Sequence, residues 1–232
     1  MAGVEERLIA VLRRTADAAV RSGRDPASVR LVGATKGVDA DRVRAAVAAG
    51  LRDLGENRVQ EALPKIRAVG PGPRWHLIGH LQQNKARLAS EHFEVIHSID
   101  SPAIAHAVDR ALTRAGAPHR RVAVLIEVNV AGEATKHGVR PEAVDALVAT
   151  AAACSGLVPV GLMTVAPVAA DAETIRPVFR RLRELRDRLR AGIGGEGFRE
   201  LSMGMSDDFE VAIEEGATMV RIGRAIFGER AG

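Results

Sequence analysis

The sequence has 232 residues, of which 47% are hydrophobic, so it can bury one substantial core, and we expect a single domain over residues 1–232. The formal charge of +4 would suit a nucleic-acid partner, but the arginines alternate with acids along the chain and aromatic residues make up only 3%, which argues against nucleic-acid binding. The N-terminus lacks the basic and apolar blocks of a signal peptide, no uncharged run is long enough to cross a membrane, and the sequence contains a single cysteine. We therefore predict a cytoplasmic protein without a membrane segment.

Helical and strand-like patterns alternate along the chain. A segment with apolar residues at helical spacing comes first, over residues 4–21. Short apolar, β-branched segments then predict eight strands, at residues 29–36, 53–56, 75–79, 95–99, 122–130, 158–165, 200–205 and 219–226. Between them, helical spacing predicts helices at residues 40–49, 58–69, 102–115, 141–153, 173–189 and 208–215.

Eight strand–helix units indicate a parallel sheet covered by helices. We predict an α/β fold, a single-domain (β/α)8 TIM barrel with an extra N-terminal helix, because the count of eight fits a closed barrel better than an open doubly wound sheet. No Gly-x-Gly-x-x-Gly sequence follows the first predicted strand, which also weakens a dinucleotide-binding interpretation. The chain ends soon after the eighth strand, so we expect no second domain.

In such barrels the functional site lies at the carboxyl ends of the strands, and phosphate commonly binds after strands seven and eight. The residues at these strand ends should therefore converge on one rim. They are Lys36, Asn57, His80, Asn129, Met163, Ser206, Arg221, Gly223 and Arg224.

Lys36 closes the first predicted strand, and it is one of only four lysines among 33 basic residues. A partly buried lysine amine can lose its proton and condense with an aldehyde. We therefore consider a Schiff-base lysine, although a strand that simply ends in a solvated cation explains this segment equally well.

The residues after strands seven and eight could hold a phosphate. Ser206 and the two acids after it open a predicted helix, so Ser206 is either an N-cap or, with free backbone N–H groups, a phosphate ligand. Taken alone, the cap is the better interpretation. Gly223 weakens the interior of a predicted strand and so suggests the close approach of a ligand, next to the cation of Arg224.

Arg221 needs a partner inside the barrel. It lies two residues before Gly223, so both face the same side of the strand. A ligand nitrogen would satisfy the arginine, and so would an acid such as Glu56 or Glu127.

His76 and His80 do not predict a metal site. A spacing of four would align them on a helix, but this segment has the pattern of a strand, and no cysteine or carboxylate cluster lies nearby in the sequence. We expect no metal, and we interpret His80 as a polar contact to a ligand or to a neighbouring loop.

Eight features in order along the chain resemble those of the pyridoxal phosphate homeostasis protein family. They extend from about residue 29 to residue 228, and the long motifs are specific. The features are Lys36 at the end of the first strand, GENRVQE at 55–61, WHLIGHLQQNK at 75–85, EVNV at 127–130, KHG at 136–138, GLMT at 161–164, LSMGMSDD at 201–208 and RIGRAIFG at 221–228.

The resemblance implies the fold of the barrel domain of alanine racemase and a site for pyridoxal 5′-phosphate (PLP). It implies that Lys36 forms a Schiff base with the cofactor aldehyde and that Arg221 faces the pyridine nitrogen. It also implies that Ser206 and the backbone amides of Gly223 and Arg224 hold the phosphate.

Further residues would surround the cofactor ring. By the same resemblance, Asn57, His80 and Met163 line the ring pocket. Lys85 and Lys136 are lysines on rim loops, and we consider them secondary sites of cofactor attachment.

An arginine at the pyridine nitrogen limits the chemistry. Arg221 can only donate a hydrogen bond, which leaves the ring nitrogen unprotonated and the cofactor a poor electron sink. Racemases of this lineage use a tyrosine from a second domain, and this sequence contains no tyrosine. We therefore expect no catalytic residue and no established turnover. The protein would be a monomeric carrier or buffer in PLP homeostasis that passes the cofactor to apo-enzymes.

Two other functions stay open. A PLP-dependent, racemase-like enzyme acting on amino acids would need an unrecognised base such as His80 or Lys136. A barrel aldolase would keep Lys36 and the phosphate site but would use the lysine directly on a phosphosugar.

Overall fold

The computed structural model describes residues 3–114, 120–133, 135–167 and 171–229 of the protein. Its eight parallel strands pair in chain order, and the eighth pairs with the first, so they form a closed barrel. The predicted (β/α)8 barrel is therefore confirmed. The strands are β1 Arg30–Ala34, β2 Asp53–Glu56, β3 Arg74–Leu77, β4 Val95–Ile99, β5 Val122–Glu127, β6 Leu157–Met163, β7 Glu200–Ser202 and β8 Met219–Ile222.

Nine α-helices accompany the strands in the part of the chain that the structure describes. They are α1 Val4–Arg21, α2 Ala40–Ala48, α3 Val59–Val69, α4 Ala86–His92, α5 Pro102–Arg114, α6 Val144–Ala153, α7 Arg176–Ala191, α8 Phe209–Glu214 and α9 Arg224–Phe227. The sequence pattern does not predict α4, because its buried face consists of small residues, Ala86, Ala89 and Ser90. Ala115, the last residue of the predicted helix 102–115, lies outside the described residues. Among the described helices, none has both the length and the apolar character that crossing a membrane requires.

The extra N-terminal helix α1 covers the last part of the barrel. Its buried residues, which include Leu8, Val11 and Ala18, recur at helical spacing, and the helix packs against α8 and α9. Arg7 donates from Nε to the carbonyl oxygen of Ile226 in α9 at 2.8 Å. This bond ties α1 to the segment that follows β8.

Several predicted strands run past the ends that the structure has. β1 stops at Ala34, β3 at Leu77 and β5 at Glu127, two or three residues before the predicted ends. β8 stops at Ile222, and Gly223 opens α9 instead of continuing the strand. The apolar pattern continues beyond the last paired residue, so it does not mark where pairing stops. Most of the candidate residues therefore lie on loops at the rim.

The interior of the barrel is polar. Outward-facing residues such as Leu77 and Ile96 belong to the main apolar core between the sheet and the helices, whereas a second, smaller apolar cluster consists of Val95, Leu125 and Met163. Buried polar residues fill much of the remaining inner wall. They are Asp53, His76, His97, Ser202 and Arg221.

Candidate functional site

A cavity of about 540 Å³ opens at the carboxyl ends of β1, β2 and β3. It brings together Lys36, Asn57 and His80 of the predicted site, and Lys85 also lines it. Its other lining residues are Arg58, Val59, Gln60, Gly79, Leu81 and Gln82. The predicted site residues outside this lining are Met163, Ser206, Arg221, Gly223 and Arg224.

Lys36 lies two residues beyond the end of β1, and its side chain is exposed. The partial burial considered for this lysine is therefore not observed. Among the described residues, the ion pairs that lysines form involve Lys65 and Lys136 and not Lys36. The Lys36 amine is thus available to a ligand in the cavity.

A buried network holds the backbone beside Lys36. The Thr35 hydroxyl donates to Glu56 Oε1 at 2.7 Å, and the Lys65 amine donates to the Thr35 carbonyl oxygen at 2.7 Å and to the same Glu56 oxygen. The Glu56 side chain is fully buried, and that of Lys65 is 11% exposed. Lys65 was not among the predicted site residues. The only sequence feature that pointed towards Lys65 is Glu56 in the predicted strand 53–56, because a buried carboxylate needs a cation nearby.

Arg221 lies inside the barrel and, among the described residues, has no carboxylate within ion-pair distance. Its Nη1 donates to Ser202 Oγ at 2.6 Å, and its Nη2 donates to the Thr164 carbonyl oxygen at 2.8 Å. The acids suggested as partners from the sequence, Glu56 and Glu127, do not bond to it. The guanidinium therefore keeps hydrogen-bonding capacity for a ligand.

Two buried charges near the rim titrate away from their ordinary values. Burial lowers the pKa of Arg221 to about 10, against the opposing effect of Glu127 and Asp208. Burial also raises the pKa of Glu127 from 4.5 to about 7, with Asp100 adding to the rise and Arg221 opposing it. At neutral pH Arg221 is consequently a protonated donor, whereas Glu127 is only partly ionised.

Ser206 meets the start of α9 at another part of the rim. α8 begins at Phe209 with Asp208 as its N-cap, so the interpretation of Ser206 as an N-cap is wrong. The Ser206 hydroxyl instead accepts a hydrogen bond from the backbone N–H of Ala225, in the first turn of α9, at 3.4 Å. Gly223 is the N-cap of this helix rather than a strand residue.

Gly223 allows the ends of β8 and β1 to approach closely. A Cβ atom at this position would lie 3.1 Å from the carbonyl oxygen and 3.4 Å from the Cβ of Ala34, which is tight contact. The Arg224 side chain is half exposed and pairs with Asp207. What remains for a ligand is the Arg224 backbone N–H, because N–H groups in the first turn of a helix lack acceptors within the helix.

His80 stacks on a histidine from the loop after β5. The rings of His80 and His137 lie 3.9 Å apart at an angle of 11°, and His80 Nδ1 is 3.2 Å from an Asp100 carboxylate oxygen. One donor atom from each of the three lies within 4.8 Å of the others, and this donor set suits a transition metal. Ring-nitrogen lone pairs lie in the ring plane, so two stacked rings cannot both point at one ion about 2 Å away. One ring would have to turn before a metal could bind.

The remaining predicted residues occupy distinct places. Met163 is buried inside the barrel and belongs to the floor below the rim. The Asn129 amide donates to the Glu133 carbonyl oxygen at 2.8 Å and so holds the loop after β5. Lys136 pairs with the Glu133 carboxylate at 2.7 Å, whereas Lys85 lines the cavity.

The rim offers three kinds of contact. An amine can condense with a carbonyl group, a buried guanidinium can donate to a nitrogen or oxygen acceptor, and backbone N–H groups beside a hydroxyl can bind an anion. A ligand with an aldehyde, a hydrogen-bond acceptor and a phosphate would use all three.

Known proteins resemble this chain over nearly its whole length. Residues 13–231 match the family described as alanine racemase, N-terminal domain. The pyridoxal phosphate homeostasis protein of Aquifex aeolicus is 45% identical over 97% of this chain and 97% of its own length. The protein of that name from Pseudomonas aeruginosa is 44% identical over 99% and 97%. PipY of Synechococcus elongatus, solved with PLP bound, has a TM-score of 0.80 and 36% identity, covering 94% of this chain and all of that one (100%).

The buried Glu127 should make the stability of the fold depend on pH. Its pKa is about 7 in the folded protein against an ordinary 4.5, so between these values the folded state holds a proton that the unfolded state has released. The free energy of unfolding should therefore fall as the pH rises from about 4.5 to 7, by on the order of 3 kcal/mol at most. Glu127→Gln should lose this decline, because glutamine does not titrate.

Urea unfolding of both proteins at about pH 5 and about pH 7.5 measures the difference. The exposed Glu142 provides the control, and Glu142→Gln should keep the pH dependence of the wild type. If Glu127→Gln also kept it, another group would be responsible.

Proposed function

The chain belongs to the pyridoxal phosphate homeostasis proteins, within the alanine racemase N-terminal domain family, and from this membership we propose that it binds PLP at the barrel rim in intracellular PLP homeostasis. Lys36 is the residue that attaches the cofactor. The protein acts as a carrier or buffer rather than as an enzyme. We further propose that residues 1–232 form a single cofactor-binding domain that works as a monomer in the cytoplasm.

One observation carries this proposal. The cavity contains an exposed Lys36 that has no ion-pair partner among the described residues, and the barrel below the rim contains a buried Arg221 without a bonded carboxylate. A ligand with a carbonyl group for Lys36 and an acceptor atom for Arg221 would engage both side chains.

The residues present fit the cofactor. Arg221 is a donor for the pyridine nitrogen. Ser206 and the amides of Gly223 and Arg224, at the start of α9, are donors for the phosphate. Gly223 leaves free the space next to Ala34 that a Cβ atom would crowd at 3.1 Å. Each donor type thus has a matching acceptor on PLP.

Three further residues are assigned to the ring pocket. Asn57 and His80 share the cavity with Lys36. Met163 lies lower, in the buried cluster of the barrel interior, and would contact the ring from the floor.

When bound, PLP supplies an aldehyde whose carbon bonds to a lysine nitrogen as water leaves. The amine of Lys36 must lose a proton before its nitrogen can bond, and its exposed position lets solvent take that proton. Lys65 donates to the carbonyl oxygen of Thr35 and Glu56 accepts from the Thr35 hydroxyl, and together they keep the backbone of Lys36 in place.

Arg221 supports a carrier rather than a racemase. With a pKa of about 10 it stays protonated at neutral pH and only donates. A ring nitrogen that accepts this bond carries no proton, and the electron sink is weak. The bases that an enzyme could use have other partners, His80 with Asp100 and Lys136 with Glu133. The sequence also contains no tyrosine.

The names of the relatives support homeostasis over a racemase-like enzyme or an aldolase. We propose that apo forms of PLP-dependent enzymes receive the cofactor. The exposed position of Lys36 supports this step, because a partner can reach a link formed there.

Removing the attachment lysine should abolish the covalent link. Lys36→Ala should lose the visible absorption band that PLP gives with the wild type, because the amine that bonds to the aldehyde is absent. After borohydride reduction of the wild type, mass spectrometry of peptides should find the cofactor on Lys36. Lys85→Ala and Lys136→Ala are the matched controls at the rim and should keep the band. Cofactor found mainly on Lys85 or Lys136 would show that the attachment site is wrong.

The phosphate should contribute strongly to affinity. Pyridoxal should bind at least about 100-fold more weakly than PLP, because it forgoes two or more charge-assisted hydrogen bonds of about 1.5–3 kcal/mol each. Ser206→Ala should weaken PLP binding about 10-fold and leave pyridoxal binding unchanged. Absorbance titrations give both affinities, with the exposed Ser155→Ala as control. Equal affinity for the two ligands would contradict the phosphate site.

The protein should turn over amino acids poorly. With L- or D-alanine in deuterated buffer, NMR and chiral chromatography should show slow exchange of the Cα proton and no racemisation at enzymatic rates. Arg221→Glu should exchange faster, because a carboxylate lets the ring nitrogen keep a proton, whereas Arg221→Lys should stay slow. Turnover of about 1 s⁻¹ or more in the wild type would contradict the carrier function. Unchanged exchange in Arg221→Glu would show that Arg221 does not touch the ring.

A further inference from the structure

A chain of hydrogen-bonded side chains crosses the barrel interior below Arg221. Arg221 Nη1 lies 2.6 Å from Ser202 Oγ, and Ser202 Oγ lies 2.9 Å from Nδ1 of His97. Nε2 of His97 lies 2.9 Å from Nδ1 of His76, whose Nε2 lies 2.8 Å from Asp53 Oδ1. The five residues come from five different strands, so only the closed barrel brings them together.

The chain is shielded from solvent along its length. Its two histidines and its serine are fully buried, Asp53 is 4% exposed and Arg221 is 5% exposed. At its lower end, the half-exposed Arg74 pairs with Asp53 at 2.9 Å. Each link must therefore be satisfied within the chain, because water cannot replace it.

The two ends of the chain determine which atoms donate. A carboxylate only accepts, so Nε2 of His76 carries the hydrogen and its Nδ1 accepts. Nε2 of His97 then donates to His76, which leaves Nδ1 of His97 to accept from the Ser202 hydroxyl. The Ser202 oxygen accepts in turn from Arg221, which can only donate. Every bond points from Arg221 towards Asp53.

The opposite order would leave a hydrogen without a partner. If His97 donated to Ser202, the serine oxygen would accept from both His97 and Arg221, and its own hydrogen would need a third partner. In the part of the chain that the structure describes, this oxygen has only those two. Burial also lowers the pKa of His97 well below its ordinary value, which keeps its ring neutral.

The lower end of the chain remains a carboxylate. Burial raises the pKa of Asp53, but hydrogen bonds from His76 and Arg74 outweigh burial and lower it below the ordinary value. A charged acceptor at this end stabilises the same order of donors throughout the chain.

We propose that this one-way chain positions the guanidinium of Arg221, which makes Ser202, His97 and His76 positioning residues of the cofactor site. The inference rests on the proposed function, in which Arg221 meets the pyridine nitrogen. Nη1 is held by Ser202 and Nη2 by the carbonyl group of Thr164, so the plane of the guanidinium is fixed at two points. Its orientation towards the ring then depends on groups that never touch the ring.

The first experiment needs no cofactor. With ¹⁵N-labelled histidine, NMR should show His76 and His97 as neutral rings protonated at Nε2. With ¹⁵N-labelled arginine, Arg221 should give separate, slowly exchanging Nη signals, and these should merge in Ser202→Ala. Ser98→Ala is the matched control, because it removes another fully buried hydroxyl, from β4, that is not part of the chain. A proton on Nδ1 of either ring, or unchanged Arg221 signals in Ser202→Ala, would overturn the proposal.

The second experiment uses PLP labelled with ¹⁵N in its ring. In Ser202→Ala and in His97→Gln the ring signal should move towards that of a pyridine without a hydrogen bond, whereas Ser98→Ala should match the wild type. A ring signal that stays unchanged in Ser202→Ala, in a protein that still binds PLP, would refute the positioning role. If the wild type bound no PLP, the proposed function would fail, and the Arg221 signals without cofactor would still decide whether the chain holds the guanidinium.

Discussion

A guanidinium buried inside a closed barrel has to find acceptors in the barrel wall, because giving up water without replacing its hydrogen bonds is costly. Arg221 finds them in Ser202 and in the carbonyl group of Thr164. Ser202 then needs an acceptor for its own hydrogen, which His97 provides. Much of the polar interior thus follows from one buried charge. Because these acceptors are neutral, they satisfy Arg221 without neutralising it, and the guanidinium remains a charged donor for the rim above.

On the other side of the rim, in contrast to Arg221, a buried charge is neutralised by an ion pair. Glu56 is fully buried, but its charge is matched by Lys65, and both contact Thr35. Because Glu56 and Lys65 already bond to each other, the network is unlike Arg221 in that its main contact is with the backbone. It holds Thr35 and thereby fixes the position of the Lys36 backbone. The site therefore combines one buried charge kept available with one buried pair that is structural. Arg221 and Glu56 lie near the carboxyl ends of β8 and β2, where short loops carry the exposed residues.

The sequence pattern located all eight strands, because each is short, contains apolar residues and is followed by a helix or a turn. It placed the ends of β2 and β4 correctly but extended the other strands too far, since apolar loop residues continue the pattern, and it did not predict α9, because a helix of four residues is little more than one turn. The position of Lys36, Asn57 and His80 after successive strands was enough to group them. The link between His97 and Ser202 was not accessible in the same way, because it joins positions 105 apart in the chain and depends on the register of the closed barrel.

Two lysines lie near the rim, and ion pairing rather than burial determines which amine is available to react. Lys65 is the more buried, which is the property expected of a reactive lysine, but its amine bonds to Glu56 and to the carbonyl oxygen of Thr35 and would have to give up both to react. Lys36 is exposed and stands on the peptide that Lys65 holds. A buried link would suit an enzyme that keeps its cofactor through many turnovers. An exposed link could be reached by water or by a partner, so the geometry of Lys36 is consistent with the reversible binding of PLP that we propose.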